Sequence, residues 1–308
     1  MVAPRSQRGG NCGTPAVACA FVLGIIVTLL IVGPGSRTYN MDTLLLSSGT
    51  GTKSMAVSSS SSSSSCNPVT SKVFSDRLVI DFKEVRSMSK DRLAELKQFT
   101  IQKYEKFVMA KPGREHYTLL EYLVKKFGPK EIQPCADRVH RRHIVDIGTR
   151  YVASALALGA SHGVVVKTFD LPESQERQHA FRGKSEADWQ KAVTDSGVNI
   201  EFHNQNLLDV SDDEFAAYTA TWFISLDTHH LPYTVPFERE FFARLAKSGY
   251  KGILVLDDIH LNEEMKKWWS ELKENADSMG YRCIVLTAVG HFSGTGLVDF
   301  SGKVDVVQ

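Results

Sequence analysis

The sequence has few cysteines, and they do not form the patterns that hold zinc. Five cysteines occur among 308 residues, with no Cys-X-X-Cys pair and no cysteine–histidine spacing typical of a zinc site. The chain also lacks an excess of either charge: lysine plus arginine total 36, aspartate plus glutamate total 35, and the formal net charge is +1. A zinc-finger architecture is therefore excluded, and we expect no nucleic acid as a partner.

Three further motifs are missing. The sequence contains no Gly-X-Gly-X-X-Gly fingerprint, which argues against a site for a dinucleotide pyrophosphate. It contains no Asp-X-Asp triplet, which counts against a glycosyltransferase that binds a nucleotide sugar. Asn-X-Ser/Thr acceptors are absent as well, so N-glycosylation gives no support for a luminal location.

An apolar segment lies near the N-terminus. Residues 15–33 carry no charge and are long enough to span a bilayer. Arg5 and Arg8 precede the segment, so the positive-inside rule places residues 1–14 in the cytoplasm. We predict a transmembrane signal anchor and a single-pass type II membrane protein of the Golgi or endoplasmic reticulum; a cleaved signal peptide is the alternative.

A serine-rich linker follows this predicted anchor. Residues 34–73 include the unbroken run Ser58–Ser65, a composition that predicts a disordered stalk. In a lumen, Cys66 and Cys135 could form a disulfide, whereas Cys283 lies in an apolar run that predicts a buried thiol. Residues 74–308 then form the predicted catalytic domain, which is long enough for one α/β core.

The stretch Thr221–Trp269 indicates the fold class. Two apolar runs, Trp222–Leu226 and Ile253–Leu256, flank the amphipathic segment Pro236–Ser248, which predicts a strand–helix–strand unit of a parallel sheet. The same alternation begins at His143. We therefore predict an α/β fold: a doubly wound, mostly parallel Rossmann-like sheet with helices on both faces.

Two predictions concern the ends of this domain. Ser89–Phe107 carries apolar residues at helical spacing, which predicts one helix with Ser89 as its N-cap. The tail, residues 291–308, alternates around Gly294 and Gly296, which predicts a C-terminal antiparallel hairpin.

The first turn of the predicted sheet has features of a cofactor site. Gly148 follows the strand His143–Ile147 and permits close approach of a ligand, while the next segment predicts a helix with free N–H groups. Asp170 ends the second strand, where a carboxylate can bond ribose hydroxyls. The two residues, about twenty positions apart, favour an adenosine-containing cofactor; an ordinary α/β turn is the alternative.

Acidic residues end the two predicted strands of the stretch Thr221–Trp269. Asp227 follows one strand and Asp257 and Asp258 follow the other, so three carboxylates would meet at one edge of the sheet. Carboxylate oxygens suit Mg²⁺ or another hard divalent cation, which could orient a substrate oxygen. The alternative is that these residues cap helices, with Asp258 as the candidate N-cap.

Histidines accompany these acids. His229 and His230 follow Asp227 directly, and His291 lies in a glycine-rich loop after the last predicted strand. A histidine beside a bound hydroxyl is a plausible general base because its pKa lies near neutral pH. Surface or supporting histidines are the alternative.

A set of motifs between residues 111 and 300 resembles the small class I S-adenosylmethionine-dependent methyltransferases of bacteria and large viruses, which often accompany polysaccharide genes. The motifs are GREHYTLLEYL, VDIGTRYVASALALG, FDLPES, ISLDTHH, LVLDDIHLNEEMKKWW and GHFSGTGLVDF. A more distant resemblance is to the metal-dependent catechol-type O-methyltransferases. There, acids at the positions of Asp227 and Asp257/Asp258 hold Mg²⁺, and a lysine stands where this chain has His230.

The resemblance implies roles for several residues. It places Asp146, Gly148 and Ser154 near the methionine moiety of the cofactor, Asp170 on the ribose, and Asn206 near the adenine. We therefore predict a luminal O-methyltransferase that uses S-adenosylmethionine and acts on a sugar or glycan hydroxyl with divalent-metal assistance. A Golgi nucleotide-sugar glycosyltransferase and a non-catalytic domain with a decayed cofactor site are the alternatives.

Overall fold

The computed structural model describes residues 74, 76–101, 104–109, 111, 114–128, 143–161, 163–171, 176–231 and 234–308. The predicted cytoplasmic tail, membrane anchor and stalk lie outside this part of the chain, as do Cys66 and Cys135. No helix within the described ranges combines the length and apolar character needed to cross a membrane. Cys283 is partly buried, and burial raises the pKa of its thiol to about 12.

The described residues form an α/β domain. Its strands are β1 (Leu78–Asp81), β2 (His143–Ile147), β3 (Val165–Asp170), β4 (Asn199–Asn204), β5 (Phe223–Leu226), β6 (Ile253–Leu256), β7 (Arg282–Val285), β8 (Gly296–Asp299) and β9 (Val304–Val307). Its helices are α1 (Phe82–Ser87), α2 (Asp91–Leu96), α3 (His116–Phe127), α4 (Ala153–Leu158), α5 (Gln178–Phe181), α6 (Glu186–Asp195), α7 (Asp212–Thr219), α8 (Val235–Lys247) and α9 (Glu263–Met279).

Seven strands form the central sheet in the order β4-β3-β2-β5-β6-β8-β7. All neighbouring pairs are parallel except those made by β8, which is antiparallel to both β6 and β7. Strands β2, β5 and β6 are buried at every position, as expected for parallel strands covered on both faces. The predicted mostly parallel sheet is therefore confirmed.

Alternate residues of the central strands point into two apolar layers. Ile144, Phe223 and Ile253 belong to one layer, with the inner faces of α3 and α4. The next residues along the same strands belong to the other layer, with α7, α8 and α9. The predicted arrangement of helices on both faces is confirmed, and Trp268 and Trp269 are core residues of the second layer.

The predicted C-terminal antiparallel hairpin exists, but its bounds within residues 291–308 are wrong, because β8 of the tail pairs antiparallel with β7, which precedes the tail. The tail supplies β8, which inserts between β6 and β7, and β9, which pairs in parallel with β1 in a separate two-stranded sheet. The burial of the two strands explains the difference. Leu297 and Val298 are completely buried, so β8 belongs inside the sheet, whereas Val307 is exposed at the periphery.

The predicted helix Ser89–Phe107 is also wrong in extent. Among the described residues of this segment only α2 is α-helical, and short 3₁₀ turns follow at Lys97–Phe99 and Glu105–Val108. Lys90 rather than Ser89 occupies the N-cap position. Thr100 explains the interruption, because its buried hydroxyl donates a hydrogen bond to the carbonyl oxygen of Tyr151 at 2.8 Å and holds the chain against the loop after β2.

Candidate active site

The sequence-predicted site residues gather at the carboxyl ends of β2, β3, β5 and β6. The backbone N–H groups just beyond the strands continue the parallel ladder: Gly148 donates to the carbonyl oxygen of Phe169, and Asp227 to that of Ile147. Asp257 N–H donates to the carbonyl oxygen of Leu226. The side chains that follow these strands therefore share one edge of the sheet, where ligands bind in open α/β folds.

A cavity of about 290 Å³ opens at this edge. Five of the predicted residues line it: Gly148, Asp170, Asn206, Asp227 and His229. Apolar walls come from side chains of the adjoining strands and of α8, including Ile147, Phe169, Leu207 and Phe237. Mostly apolar walls with a few converging polar groups are typical of a small-molecule site.

The turn after β2 brings backbone close to this cavity. Gly148 has a φ of 106°, and a Cβ at this position would overlap the carbonyl oxygen of Asp227. Only glycine satisfies both conditions. Arg150 and Val152 also have positive φ values, and the N–H group of Arg150 donates to Asp170 Oδ2 at 3.3 Å. The turn and the acid at the end of β3 are thus directly connected.

Asp146 and Ser154 lie beneath the turn. The Asp146 side chain is completely buried, and its Oδ2 accepts hydrogen bonds from Ser154 Oγ at 3.0 Å and from Thr168 Oγ1 at 2.8 Å. Burial raises the pKa of Asp146 to about 7, against the lowering effect of these hydrogen bonds. In this arrangement the two residues support the turn from below.

His230 is enclosed between two carboxylates. Its Nε2 lies 3.4 Å from Asp227 Oδ1, and its Nδ1 lies 2.8 Å from Oε1 of Glu238, which has no solvent exposure. Burial acts to lower the pKa of His230, but Asp227 and Glu238 raise it to about 11. The ring therefore carries a proton at neutral pH. His229 instead faces the cavity, with Nε2 3.5 Å from Glu176 Oε2.

Asp257, Asp258 and His291 form a second group of contacts. His291 Nδ1 lies 2.7 Å from Asp258 Oδ1 and 3.4 Å from Asp257 Oδ2, and Ser293 Oγ donates to Asp258 Oδ1. Burial acts to raise the pKa of Asp257, but the rings of His116 and His291 lower it to about 2. Burial acts to lower the pKa of His291, whereas the two aspartates raise it to about 10.

Asp258 is not the N-cap of α9, so that alternative is wrong. The N-cap is Asn262, whose Oδ1 accepts a hydrogen bond from the N–H group of Met265 at 3.0 Å. The side-chain amide of Asn262 also donates to the carbonyl oxygen of His230 at 2.6 Å. Asp258 itself has a φ of 56°, which turns the chain sharply after β6.

Two overlapping groups of side chains could hold a metal ion. One contains His116, Asp227 and Asp257, and the other contains His230, Asp257 and Asp258; within each group the candidate ligand atoms lie within 4.8 Å of one another. Asp257 is common to both, whereas Asp227 and Asp258 occur in different groups. The structure thus adds imidazole ligands to the three predicted carboxylates.

Sequence reasoning missed His116 and Glu238. Both lie on the apolar faces of amphipathic helices: His116 precedes Leu119 and Leu120 on α3, and Glu238 precedes Phe241 and Phe242 on α8, at spacings of three and four residues. A titratable residue in the buried stripe of a helix is the signal that could have identified them.

Comparisons with known proteins give structural neighbours only. No protein-family model matches the chain, and no curated protein matches it. An O-methyltransferase from Bacillus cereus, solved with S-adenosylhomocysteine (SAH), is 15% identical with a TM-score of 0.40, over 69% of this chain and 90% of that one. A protein assigned as a caffeoyl-CoA O-methyltransferase from Staphylococcus aureus is 14% identical with a TM-score of 0.40, over 70% and 95% of the two chains.

Proposed function

We propose that this protein is an S-adenosylmethionine-dependent O-methyltransferase. The observation that carries the proposal is the position of Asp227. Asp227 lines the cavity at the ends of β2, β3 and β4. Its carboxylate also belongs to the cluster of acids and histidines beyond β6. One carboxylate thus joins a space suited to a nucleoside to a group of residues suited to proton transfer.

The cavity has the features that an adenosine-containing cofactor requires. Asp170 and Asn206 both line the cavity, where Asp170 could accept hydrogen bonds from ribose hydroxyls and Asn206 could contact the adenine. Gly148 keeps the wall free of side-chain atoms. The strand order, with one antiparallel strand inserted beside the last, is the order expected of the class I methyltransferases that the sequence resembles.

The acceptor hydroxyl would lie beside Asp227, on the side of the acid–histidine cluster. The ring of His230 already carries a proton at neutral pH, so we propose that it acts through its positive charge rather than as the predicted general base. Its Nε2 is 3.4 Å from Asp227 Oδ1, where the charge would stabilise the negative charge that develops on the acceptor oxygen, whereas His229 faces the cofactor cavity. His291, held by Asp258, would orient the acceptor from the other side. Placing the hydroxyl and the methyl group in line would supply most of the rate enhancement.

A divalent cation fits the donor set of the cluster. Asp257 Oδ1 and both ring nitrogens of His116 are buried without hydrogen-bond partners among the described residues, and the carboxylate of Asp227 adjoins them. Asp227 and Asp257 would hold the ion. When bound, such an ion would stabilise the negative charge that develops on the acceptor oxygen.

We further propose a sugar or glycan hydroxyl as acceptor, in the lumen of the secretory pathway. The apolar segment and the serine-rich stalk in the sequence support this location. Beside the cluster, Phe292 is 54% exposed, and the guanidinium of Arg114 lies 4.3 Å from its ring centroid. An exposed aromatic ring next to a polar site gives a platform on which a sugar ring can stack.

Ligand-induced thermal stabilisation of the full-length protein tests the proposal. SAH should raise the melting temperature. The Asp170→Ala variant should need at least about a tenfold higher SAH concentration for the same rise in melting temperature, whereas Asp195→Ala, on the exposed end of α6, should need no more SAH than the unmodified protein. Stabilisation by UDP-sugars without any response to SAH would contradict the proposal in favour of a glycosyltransferase. No response to either ligand would favour a domain with a decayed site.

A further inference from the structure

His116 is a buried imidazole that makes no hydrogen bond in the described structure. Its side chain is 6% exposed, and neither Nδ1 nor Nε2 has a hydrogen-bond partner among the residues that the structure describes. The closest acidic atom, Asp257 Oδ1, lies 3.4 Å from Nδ1 and also lacks a hydrogen-bond partner. Buried polar atoms are nearly always satisfied, so a pair of unsatisfied donors and acceptors facing one another indicates a ligand between them.

Asp227 completes the group on the third side. Its carboxylate and the candidate atoms of His116 and Asp257 lie within 4.8 Å of one another. Atoms bound to one ion at about 2.1 Å are at most about 4.2 Å apart, so small side-chain movements would bring all three into coordination. Asp227 also lines the cofactor cavity, so the ion would lie at the boundary between cofactor and acceptor.

The second group of potential ligands is less suitable because its members are already occupied. Asp258 Oδ1 contacts both His291 and Ser293, and His230 Nε2 is hydrogen-bonded to Asp227 Oδ1 at 3.4 Å. An ion there would have to break these contacts. The ring nitrogens of His116 carry no such cost.

We propose that His116, Asp227 and Asp257 form the protein part of a divalent metal site, and that the imidazole makes this site select a first-row transition ion over Mg²⁺. Mg²⁺ prefers oxygen ligands in strict octahedral geometry, whereas Mn²⁺, Fe²⁺ and Co²⁺ accept mixed nitrogen and oxygen sets and bind imidazole more strongly. The role of the ion in methyl transfer rests on the proposed function, but its binding does not.

The site would also connect two parts of the fold. His116 is the first residue of α3, whereas the two aspartates follow β5 and β6. A bound ion would therefore fix the start of α3 to the edge of the sheet and stabilise the folded protein. Mn²⁺ should raise the melting temperature of the full-length protein, and the effect should require His116.

Metal binding to the full-length, EDTA-treated protein tests the proposal. We expect Mn²⁺ to bind at least about tenfold more tightly than Mg²⁺ in calorimetric titrations. His116→Phe should weaken Mn²⁺ binding at least about tenfold, whereas His179→Phe, on the exposed surface of α5, should leave it unchanged. Binding of SAH, measured on the same samples, reports whether each variant is folded.

A second measurement needs no substitution. Pulsed electron paramagnetic resonance of Mn²⁺ bound to the unmodified protein should show modulation from one directly coordinated imidazole nitrogen. Absence of that signal, equal affinity for Mg²⁺ and Mn²⁺, or unchanged Mn²⁺ affinity in His116→Phe would each overturn the proposal. A protein that binds SAH but does not bind Mn²⁺ would refute this inference alone. A protein that binds Mn²⁺ but does not bind SAH would refute the proposed function and leave the metal site standing.

Discussion

The imidazole of His230 and the carboxylate of Glu238 form a pair that solvent does not reach. His230 Nδ1 lies 2.8 Å from Glu238 Oε1, and the two side chains are 2% and 0% exposed. Thr228 Oγ1 donates a hydrogen bond to the same carboxylate oxygen. Helix α8 is therefore tied through its first turn to the loop that carries Asp227, His229 and His230.

Removal of this buried acid should destabilise the fold. Glu238→Ala leaves the charged ring of His230 with one carboxylate instead of two, and loss of one partner of a buried pair costs about 3–5 kcal/mol. The free energy of unfolding in urea should fall by about that amount. Glu240→Ala, on the exposed side of the same helix, is the matched control and should change it by less than about 0.5 kcal/mol. Similar losses in both variants would contradict a special role for Glu238.

Substitutions at Gly148 and Gly163 distinguish two effects of replacing a glycine: the strain of a positive φ, and the steric overlap between a new Cβ and a neighbouring backbone. Both have positive φ values, but a Cβ at Gly148 would overlap the Asp227 carbonyl oxygen, whereas a Cβ at Gly163 meets nothing within 4 Å. Gly163→Ala should cost about 1 kcal/mol of stability and leave SAH binding intact. Gly148→Ala should additionally displace Asp227 and weaken SAH binding at least about tenfold, as measured by calorimetry. Equal effects of the two substitutions would show that the cavity does not depend on this approach.

The two neighbouring histidines should differ in their kinetic effects. The positively charged ring of His230 lies beside Asp227, so His230→Ala should lower kcat about 10²–10³-fold, the usual cost of removing a group that stabilises charge in the transition state, with little change in SAH affinity. His229 lines the cofactor cavity, so His229→Ala should mainly raise KM for S-adenosylmethionine. Initial rates of methyl transfer from the radiolabelled cofactor distinguish the two effects. If His229→Ala rather than His230→Ala abolished kcat, the two roles would be reversed.

Glu121 on α3 should make stability depend on pH. Burial raises the pKa of its carboxyl to about 7 from an ordinary 4.5, although Lys125 and Arg92 oppose the shift. Because the folded state binds the proton more tightly than the unfolded state, the free energy of unfolding should fall as the pH rises from about 4.5 to about 7. The slope should approach about 1.4 kcal/mol per pH unit. Asp146, whose pKa burial also raises to about 7, contributes a similar slope, so Glu121→Gln should reduce the total slope in urea unfolding curves without abolishing it. Glu274→Gln, an exposed change on α9, should leave the slope in place; an unchanged slope in Glu121→Gln would assign it to other groups.

The central strands could be predicted from sequence because a strand buried on both faces is a short run of apolar residues, which is visible in the local sequence. His143–Ile147 and Ile253–Leu256 are apolar runs with acids or glycine at one end, and both were predicted with the bounds that the structure has. The position of β8 could not be predicted in the same way. Its insertion between β6 and β7 depends on pairing with strands up to 46 residues away, which no local pattern in the tail encodes.

The site could be predicted in part for the same reason. Acids after apolar runs indicated Asp170, Asp227, Asp257 and Asp258, because the ends of parallel strands meet at one edge. The residues that contact each acid could not be predicted, because they lie on helices that are distant in the sequence and pack against the strand ends. The raised pKa of His230 comes from Asp227 and from Glu238, the latter eight residues later on α8, and the lowered pKa of Asp257 comes in part from His116 on α3.

The inserted position of β8 has a consequence for synthesis of the chain. Until residues 296–299 have emerged, the edge of β6 is unpaired, and His291 and Ser293 have no fixed place beside Asp258. An incomplete chain that ends after β7 would therefore present an open, wholly apolar strand edge, which favours pairing between molecules. The same final segment that completes the polar cluster also closes the sheet against aggregation, so premature termination should yield insoluble protein rather than a soluble, inactive domain.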